Sequence, residues 1–88
     1  MAVVCLHGPL KKLAGDTSEH PLEGSTVIEL LAALEREHPA IAGWVLDERR
    51  TIRRHINVFV NGEQSREATA IQSNDRIEVL PAISGGAA

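Results

Sequence analysis

The sequence predicts a single α+β domain in which one main helix packs across a mixed β-sheet. Three observations predict this fold class. The segment STVIELLAALEREHP has the apolar periodicity of an amphipathic helix. The segments AVVCLH, HINVFVNGE and NDRIEVLPAI are rich in β-branched residues or alternate with period two. The 88 residues suffice for one hydrophobic core only, because a chain this short buries only about two thirds of its unfolded surface. One helix on one sheet is the smallest two-layer arrangement of these elements.

The first strand, AVVCLH, ends at the turn signal Gly8-Pro9. The next segment, LKKLAGDTSEHPLEG, carries two glycines and one proline among polar residues. We interpret it as a hairpin or loop with a short second strand before Gly24.

The main helix begins after Thr26, which has the spacing of a capping box with Glu29. Its apolar stripe consists of Val27, Leu30, Leu31 and Leu34, and the residues predicted to face water are Glu35, Arg36 and Glu37. Pro39 disfavours helical geometry at His38 and ends the helix. The following segment, AIAGWVLDE, has Ile41, Trp44 and Val45 at helical spacing, which predicts a short second helix of one or two turns on the core.

The central strand points Ile56, Val58 and Val60 to one face and Asn57 and Phe59 to the other. Asn61-Gly62 follows it and is a strong turn signal, because both residues tolerate positive φ. The last strand alternates through Ile77 and Val79. Pro81 restricts this strand to an edge position or to an irregular end at that point.

Composition excludes several classes of function. Phe59 and Trp44 are the only aromatic residues and the net charge is −3, which argues against a nucleic-acid partner and against anionic membranes. No segment approaches the length of a membrane span or has the form of a signal peptide. The single cysteine, Cys5, fits a reducing compartment, so we expect a cytoplasmic protein. The four histidines are scattered, and we assign no metal.

The chain resembles the ubiquitin-like sulfur-carrier family, which includes the small subunit of molybdopterin synthase and the sulfur carrier of thiamin biosynthesis. The resemblance covers nearly the whole chain. Its marks are PLEGSTVIELLAALEREHP, INVFVNGE and NDRIEVLPAISGG. It implies the ubiquitin-like β-grasp fold, in which a mixed sheet wraps one helix. We therefore expect a β-grasp domain over residues 1–83 and a flexible tail over residues 84–88. One mild departure is Asn74-Asp75, where the family usually has Gly-Asp.

The resemblance also implies a function. In this family the carboxylate of the terminal glycine is joined to AMP by an ATP-using, E1-like adenylyltransferase and sulfurtransferase, and it then becomes a thiocarboxylate that donates sulfur. By transfer, Gly86 would carry the reactive carboxyl group and Gly85 would keep the tail slender. The chain itself would be a protein co-substrate and no enzyme, with no bound cofactor and with ATP used by the partner.

The larger departure is Ala87-Ala88, which makes the Gly86 carboxyl group an amide. Our hypothesis is that a JAMM-type zinc metalloprotease cleaves between Gly86 and Ala87; a cloning remnant or a neutral addition is the alternative. Such extensions favour amino-acid or specialised-metabolite synthesis over molybdenum cofactor or thiamin, with a pyridoxal-phosphate synthase as one candidate sulfur acceptor. The alternatives are a ubiquitin-like modifier conjugated through Gly86, the small subunit of molybdopterin synthase, and a purely structural interaction domain.

The resemblance suggests partner contacts at Phe59, Pro81, Ile83 and Ser84, and an ordinary packing role is the equal alternative for Phe59. We interpret Cys5 as a small buried residue rather than as a thiol that relays sulfur. The segment RRTIRRH holds Arg49, Arg50, Arg53 and Arg54. It is either a docking patch for an acidic enzyme surface, or weakly for nucleic acid, or a solvated loop balanced by Asp47 and Glu48, and the sequence favours the solvated loop.

Overall fold

The computed structural model describes residues 1–81. Its five strands form one mixed sheet in the order β2-β1-β5-β3-β4. The strands are β1 Ala2–Leu6, β2 Glu19–Leu22, β3 Ile56–Val60, β4 Glu63–Gln64 and β5 Arg76–Pro81, and the helices are α1 Pro9–Leu13 and α2 Val27–Glu37. Strand β5 runs parallel to β1 and antiparallel to β3. The predicted α+β class, the succession of strands and main helix along the chain, and the mixed sheet are confirmed.

The core lies between α2 and one face of the sheet. The apolar stripe of α2 is buried, and Val4, Leu6, Val58, Ile77 and Val79 from the three middle strands are buried in the same cluster. Ile56 and Val60 pack against its margin, so the predicted inner face of β3 is confirmed. A sheet with one face covered by a helix leaves the other face open for contacts.

Helix α2 has the predicted boundaries, with Thr26 as N-cap and His38 as C-cap. Thr26 Oγ1 accepts a hydrogen bond from the Glu29 N–H at 3.4 Å, and Glu29 Oε1 accepts one from the Ser25 N–H at 2.8 Å. The carboxylate thus bonds one residue earlier than a standard capping box requires. Glu35 does not simply face water, because its Oε2 accepts a hydrogen bond from the Leu46 N–H at 3.0 Å.

The turn predictions are also confirmed. Asn61 and Gly62 have φ values of 51° and 88° and connect β3 to β4. Asn74, which replaces the glycine usual in the family, adopts a left-handed φ of 72°, a conformation that asparagine tolerates better than most residues. Pro81 stands at the end of β5, as one of the two predicted alternatives requires, but β5 is a central strand and not an edge.

The short second helix is in a different place from the one predicted. Residues Pro39–Ile41 form a single 3₁₀ turn, whereas a five-residue helix, α1, occupies the segment that we interpreted as a hairpin or loop. Ile41 and Val45 are buried as expected, but the Trp44 side chain is 55% exposed. Gly43, with a φ of 87°, breaks the helical path between Ile41 and Trp44, and this explains why the predicted periodicity fails there. Within residues 1–81 no helix is long and apolar enough to span a membrane.

Candidate functional site

The carboxyl-terminal strand determines where the tail begins. Strand β5 pairs with β1 as far as Val79 and with β3 as far as Pro81. Gly85, Gly86, Ala87, Ile83 and Ser84 lie outside the described residues, as does the predicted boundary at residue 83. Gly86 is five residues beyond Pro81, so the covalent chain can carry it at most about 18 Å from the sheet. Because β5 is a central strand, the end of β5 is a fixed anchor point, and any reaction at Gly86 takes place within this distance of it.

One row of side chains crosses the outer face of the sheet. Strand register pairs Glu19 with Cys5, Cys5 with Glu78, Glu78 with Phe59, and Phe59 with Gln64. Phe59 is half-buried and belongs to neither the core cluster nor its margin. It therefore lies on the outer face, where the sequence predicted it.

Leu80 is a second apolar residue of this face, and the sequence reasoning did not single it out. It pairs with Asn57 and so lies diagonally next to Phe59 across β3 and β5. The signal was present, because a strand that buries Ile77 and Val79 must turn Leu80 to the other face. Phe59 and Leu80 together form the outer apolar pair, a surface of the kind that a partner protein can cover.

The other half of the outer face is charged. Arg76 lies 3.4 Å from Glu19 and 3.6 Å from Glu78, measured between side-chain nitrogen and oxygen atoms. His7 Nε2 lies 3.1 Å from Glu78 Oε1. These groups are substantially exposed, so their contribution to stability is small. Their arrangement offers fixed charges of both signs beside the outer apolar pair, and such charges set orientation more than affinity.

Cys5 lies beneath this charged group. Its side chain is 1% exposed, and burial raises the pKa of the thiol, against a smaller opposing effect of the Arg76 guanidinium. A buried thiol with a raised pKa is a poor nucleophile, because the thiolate is the reactive form. The interpretation of Cys5 as a small buried residue is confirmed.

We expect the folded chain to react with iodoacetamide on the order of a hundredfold more slowly than the chain in denaturant, because modification needs local opening. The measurement is the rate of alkylation by intact mass at pH 8. A reaction in the folded state as fast as in denaturant would show that the Cys5 thiol is accessible and would contradict its burial.

The four arginines of RRTIRRH do not form one patch. Arg53 and Arg54 line a groove next to Pro81, whereas Arg50 lines a separate concavity with Glu29 and Arg36 of α2. Asp47 does not pair with them directly, since among residues 1–81 no carboxylate oxygen lies within 4.0 Å of any of the four. The predicted balance by Asp47 and Glu48 therefore holds only at longer range.

Asp47 instead fixes the turn that leads to these arginines. Its Oδ1 accepts hydrogen bonds from the Arg49 and Thr51 N–H groups, both at 2.9 Å. The bond from Thr51 is the main cause that holds the pKa of Asp47 below its ordinary value of 3.8, with a smaller effect of Arg53 and Arg49. Because the folded-state pKa is depressed, the ionised carboxylate stabilises the fold above pH 3.8, and this contribution is lost as the pH falls through the lower, folded-state value.

Asp47→Asn should therefore have a slightly lower Tm than the wild type at pH 7. The two Tm values should converge as the pH falls below the folded-state pKa of Asp47. Thermal unfolding by circular dichroism from pH 7 to pH 2 measures this, and Glu48→Gln is the matched control because Glu48 is exposed and has no hydrogen bond within the described residues. A constant difference at every pH would show that the charge of Asp47 is not the cause.

Two of the histidines meet, which their spacing in the sequence did not indicate. The rings of His20 and His38 lie edge to face with centroids 4.7 Å apart, and His20 Nε2 lies 2.8 Å from the Thr17 carbonyl oxygen. Over residues 1–81 no three histidine, cysteine or carboxylate side chains converge in a metal-binding cluster. The two histidines therefore form a packing contact between β2 and the end of α2.

Comparison with known proteins gives one family and several relatives. The ThiS family model matches residues 4–86. Small archaeal modifier protein 1 of Haloferax volcanii is 34% identical over 83 residues, which cover 92% of this chain and 95% of that protein. Small archaeal modifier protein 3 of the same organism is 31% identical over 68 residues, 73% of each chain. A chain in the crystal structure of the Amycolatopsis orientalis BexX/CysO complex superposes with a TM-score of 0.86 at 25% identity, covering 94% of this chain and 97% of that one.

Proposed function

This chain belongs to the ThiS family of ubiquitin-like sulfur carriers and modifiers, and from that premise we propose that it is a sulfur carrier loaded at Gly86. The observation that carries the proposal is the extent of the family match, which begins at residue 4 and ends at residue 86. The match thus includes both glycines of the tail and stops before Ala87 and Ala88.

The chemistry needs a free carboxylate at Gly86. A carboxylate is a poor electrophile, because its charge is delocalised and its leaving group would be oxide. When one carboxylate oxygen attacks the α-phosphorus of ATP, pyrophosphate leaves and an acyl adenylate forms. A hydrosulfide ion supplied by a partner protein then attacks the acyl carbon, the carbon–oxygen bond breaks, and AMP leaves with the bonding electrons. The product is a thiocarboxylate, and the activating partner binds the ATP.

The described surface fits a co-substrate of this kind. The outer apolar pair, Phe59 and Leu80, lies on β3 and β5, and the charged groups around Glu78 lie beside it on the same face. An E1-like activating partner that covers this face would hold the end of β5 at a fixed distance from its own active site, within reach of the tail. The crystallised BexX/CysO complex is a precedent for a bound partner in a chain of the same fold.

Processing precedes activation in this proposal. Hydrolysis of the peptide bond between Gly86 and Ala87 would release Ala-Ala and leave the Gly86 carboxylate, and a JAMM-type zinc metalloprotease is the class of enzyme that we propose for this step. The sulfur acceptor would be an enzyme of amino-acid or specialised-metabolite synthesis, with a pyridoxal-phosphate synthase as the first candidate.

A second function is supported by the names of two relatives, the small archaeal modifier proteins 1 and 3. In a modifier the same adenylate passes to lysine amino groups of other proteins and forms isopeptide bonds. The two functions differ in the acceptor. The adenylate of a carrier becomes a thiocarboxylate that gives its sulfur to another molecule, whereas a modifier remains covalently attached to its target protein.

The experiment that tests the proposal is the intact mass of the untagged protein, isolated rapidly from its own cells without reductant. Loss of both alanines with one oxygen replaced by sulfur would support the loaded carrier. Higher-mass conjugates that yield a branched Gly-Gly remnant on lysine after digestion would support the modifier. An unprocessed terminus in every molecule, without conjugates, would contradict both functions.

A further inference from the structure

A groove of about 820 Å³ opens beside the end of β5. Three parts of the chain build its walls: the start of α1, the loop around Trp44, and the segment from Thr51 to Ile56. Pro81 also lines it, so the tail leaves the sheet from the edge of this groove. A partner that binds the residues just beyond Pro81 therefore lies close to the groove.

The groove is held in shape by backbone hydrogen bonds. The Arg53 N–H donates to the Val45 carbonyl oxygen at 2.9 Å, and Leu46 and Ile52 form an isolated antiparallel bridge. The Ile52 N–H donates to Glu67 Oε2 at 2.8 Å. Because these bonds order the wall before any ligand arrives, binding in the groove would lose little conformational entropy.

Trp44 is the unusual residue of the groove. Its side chain is 55% exposed although its neighbours in sequence and space, Ile41 and Val45, are completely buried. A large aromatic side chain exposed on an ordered loop is the kind of residue that dominates binding energy when a partner covers it. Ile52 and Ile56 extend the same apolar wall, which gives room for one apolar side chain of a partner.

The charge of the groove is positive. Arg53 and Arg54 line it, and no carboxylate oxygen of the described residues lies within 4.0 Å of their side-chain nitrogens. The acid that shares the groove, Asp47, has an oxygen occupied by two backbone N–H groups. The chain as a whole carries a net charge of −3, so this local positive charge stands out against its surroundings and favours an acidic ligand.

We propose that this groove binds an acidic peptide segment with an apolar anchoring side chain, contributed by the protein that acts on the tail. The apolar side chain would pack on Trp44, and carboxylates on either side of it would pair with Arg53 and Arg54. The identity of the partner as a tail-handling protein rests on the proposed function; the peptide site itself does not. Holding the groove and the tail at once would raise the effective concentration of the tail in the partner's active site.

The test uses the full chain as bait for a displayed library of random heptapeptides, without ATP or any enzyme. Enriched peptides should carry several Asp or Glu residues around a Leu, Ile or Phe. Trp44 is the only tryptophan and the chain has no tyrosine, so its fluorescence reports binding of a synthetic, tryptophan-free copy of an enriched peptide directly.

The variants separate the groove from the rest of the surface. Arg53→Glu/Arg54→Glu and Trp44→Ser should each bind the enriched acidic peptide about tenfold more weakly or worse, and because Trp44→Ser has no tryptophan, the variants are compared by fluorescence anisotropy of a fluorescein-labelled copy of the peptide. Arg49→Glu/Arg50→Glu makes the same change of charge outside the groove and should bind it within about twofold of the wild type. A selection repeated on Arg53→Glu/Arg54→Glu should enrich basic peptides instead. Circular dichroism confirms that each variant is folded.

Enrichment without an acidic and apolar consensus, equal binding by all variants, or no enrichment at all would overturn the groove proposal. None of these outcomes depends on Gly86, and the intact-mass experiment does not depend on the groove. A failure of one proposal is therefore distinguishable from a failure of the other.

Discussion

A chain that ends at Gly86 is expected to be adenylated, and the 88-residue chain is not. In the longer chain the Gly86 carboxyl group is an amide, and the only free main-chain carboxylate is displaced by two residues onto Ala88. In the activating partner that we propose, a channel narrow enough to select glycine would exclude the Cβ atoms of these two alanines. Since the adenylate forms only at a carboxylate next to bound ATP, we expect complete loss of the reaction rather than a reduced rate.

The measurement is ATP–pyrophosphate exchange catalysed by the E1-like enzyme of the same organism, with both forms of the chain at equal concentration. Exchange with the trimmed chain should exceed that with the 88-residue chain, which should stay at background, by at least about a hundredfold, because only the trimmed chain places a free Gly86 carboxylate beside the bound ATP. A chain that ends at Gly85 tests the length of the tail, and a trimmed chain with Gly86→Ala tests the width of the channel.

Equal exchange by the two forms would contradict the processing step while leaving the sulfur carrier in place. No exchange by either form, with an enzyme that is active on another carrier, would contradict the carrier function itself. The test is sharp because the trimmed chain, which should react, and the 88-residue chain, which should not, differ only by Ala87 and Ala88.

The sequence predicts best those elements whose signals are local. The N-cap at Thr26, the stop at Pro39 and the turn at Asn61-Gly62 all depend on residues within a few positions, and all are confirmed. The alternation of β3 and β5 likewise identifies the buried face, because the period of a strand is a property of its own backbone. Phe59 is correctly placed on the outer face for the same reason.

The errors occur where tertiary contacts decide. Helix α1 has five residues, too few for a periodic pattern, and it forms because Leu10 is buried in the core. Trp44 has the spacing of a core residue but is exposed, because Gly43 turns the chain. Both features border the groove, so sequence reasoning could not predict it. The division of the arginines between two surfaces depends on the turn at Asp47 and is equally non-local.

The two proposed contact surfaces have different sequence signals. The outer apolar pair follows from strand alternation and could be found without a structure. The groove combines residues from α1, the Trp44 loop and the end of β5, which are far apart in the chain. A surface assembled from distant segments depends on the whole fold, and any loss of stability would affect it before it affected the covalent chemistry of the tail.

Leu30→Ala is expected to destabilise the fold by about 3 kcal/mol, since deleting a fully buried leucine side chain loses its transfer free energy and leaves a cavity. Leu30 is 0% exposed at the centre of the apolar stripe of α2. In a domain of this size, whose total stability is about 5–10 kcal/mol, that loss should lower Tm by about 12–24 °C. Thermal and urea unfolding by circular dichroism measure both quantities.

Ile28→Ala is the matched control on the same helix. Ile28 packs only against the margin of the core, and alanine is a better helix former than isoleucine, so we expect less than about half the effect of Leu30→Ala. Equal losses in the two variants would show that α2 does not pack as described. Because Leu30 is buried on the side of the sheet opposite the outer apolar pair and does not line the groove, a trimmed Leu30→Ala chain should still be adenylated at temperatures well below its Tm. Loss of adenylation in a demonstrably folded Leu30→Ala chain would mean that the activating partner recognises the helix side of the domain, and the outer face would no longer be the proposed contact.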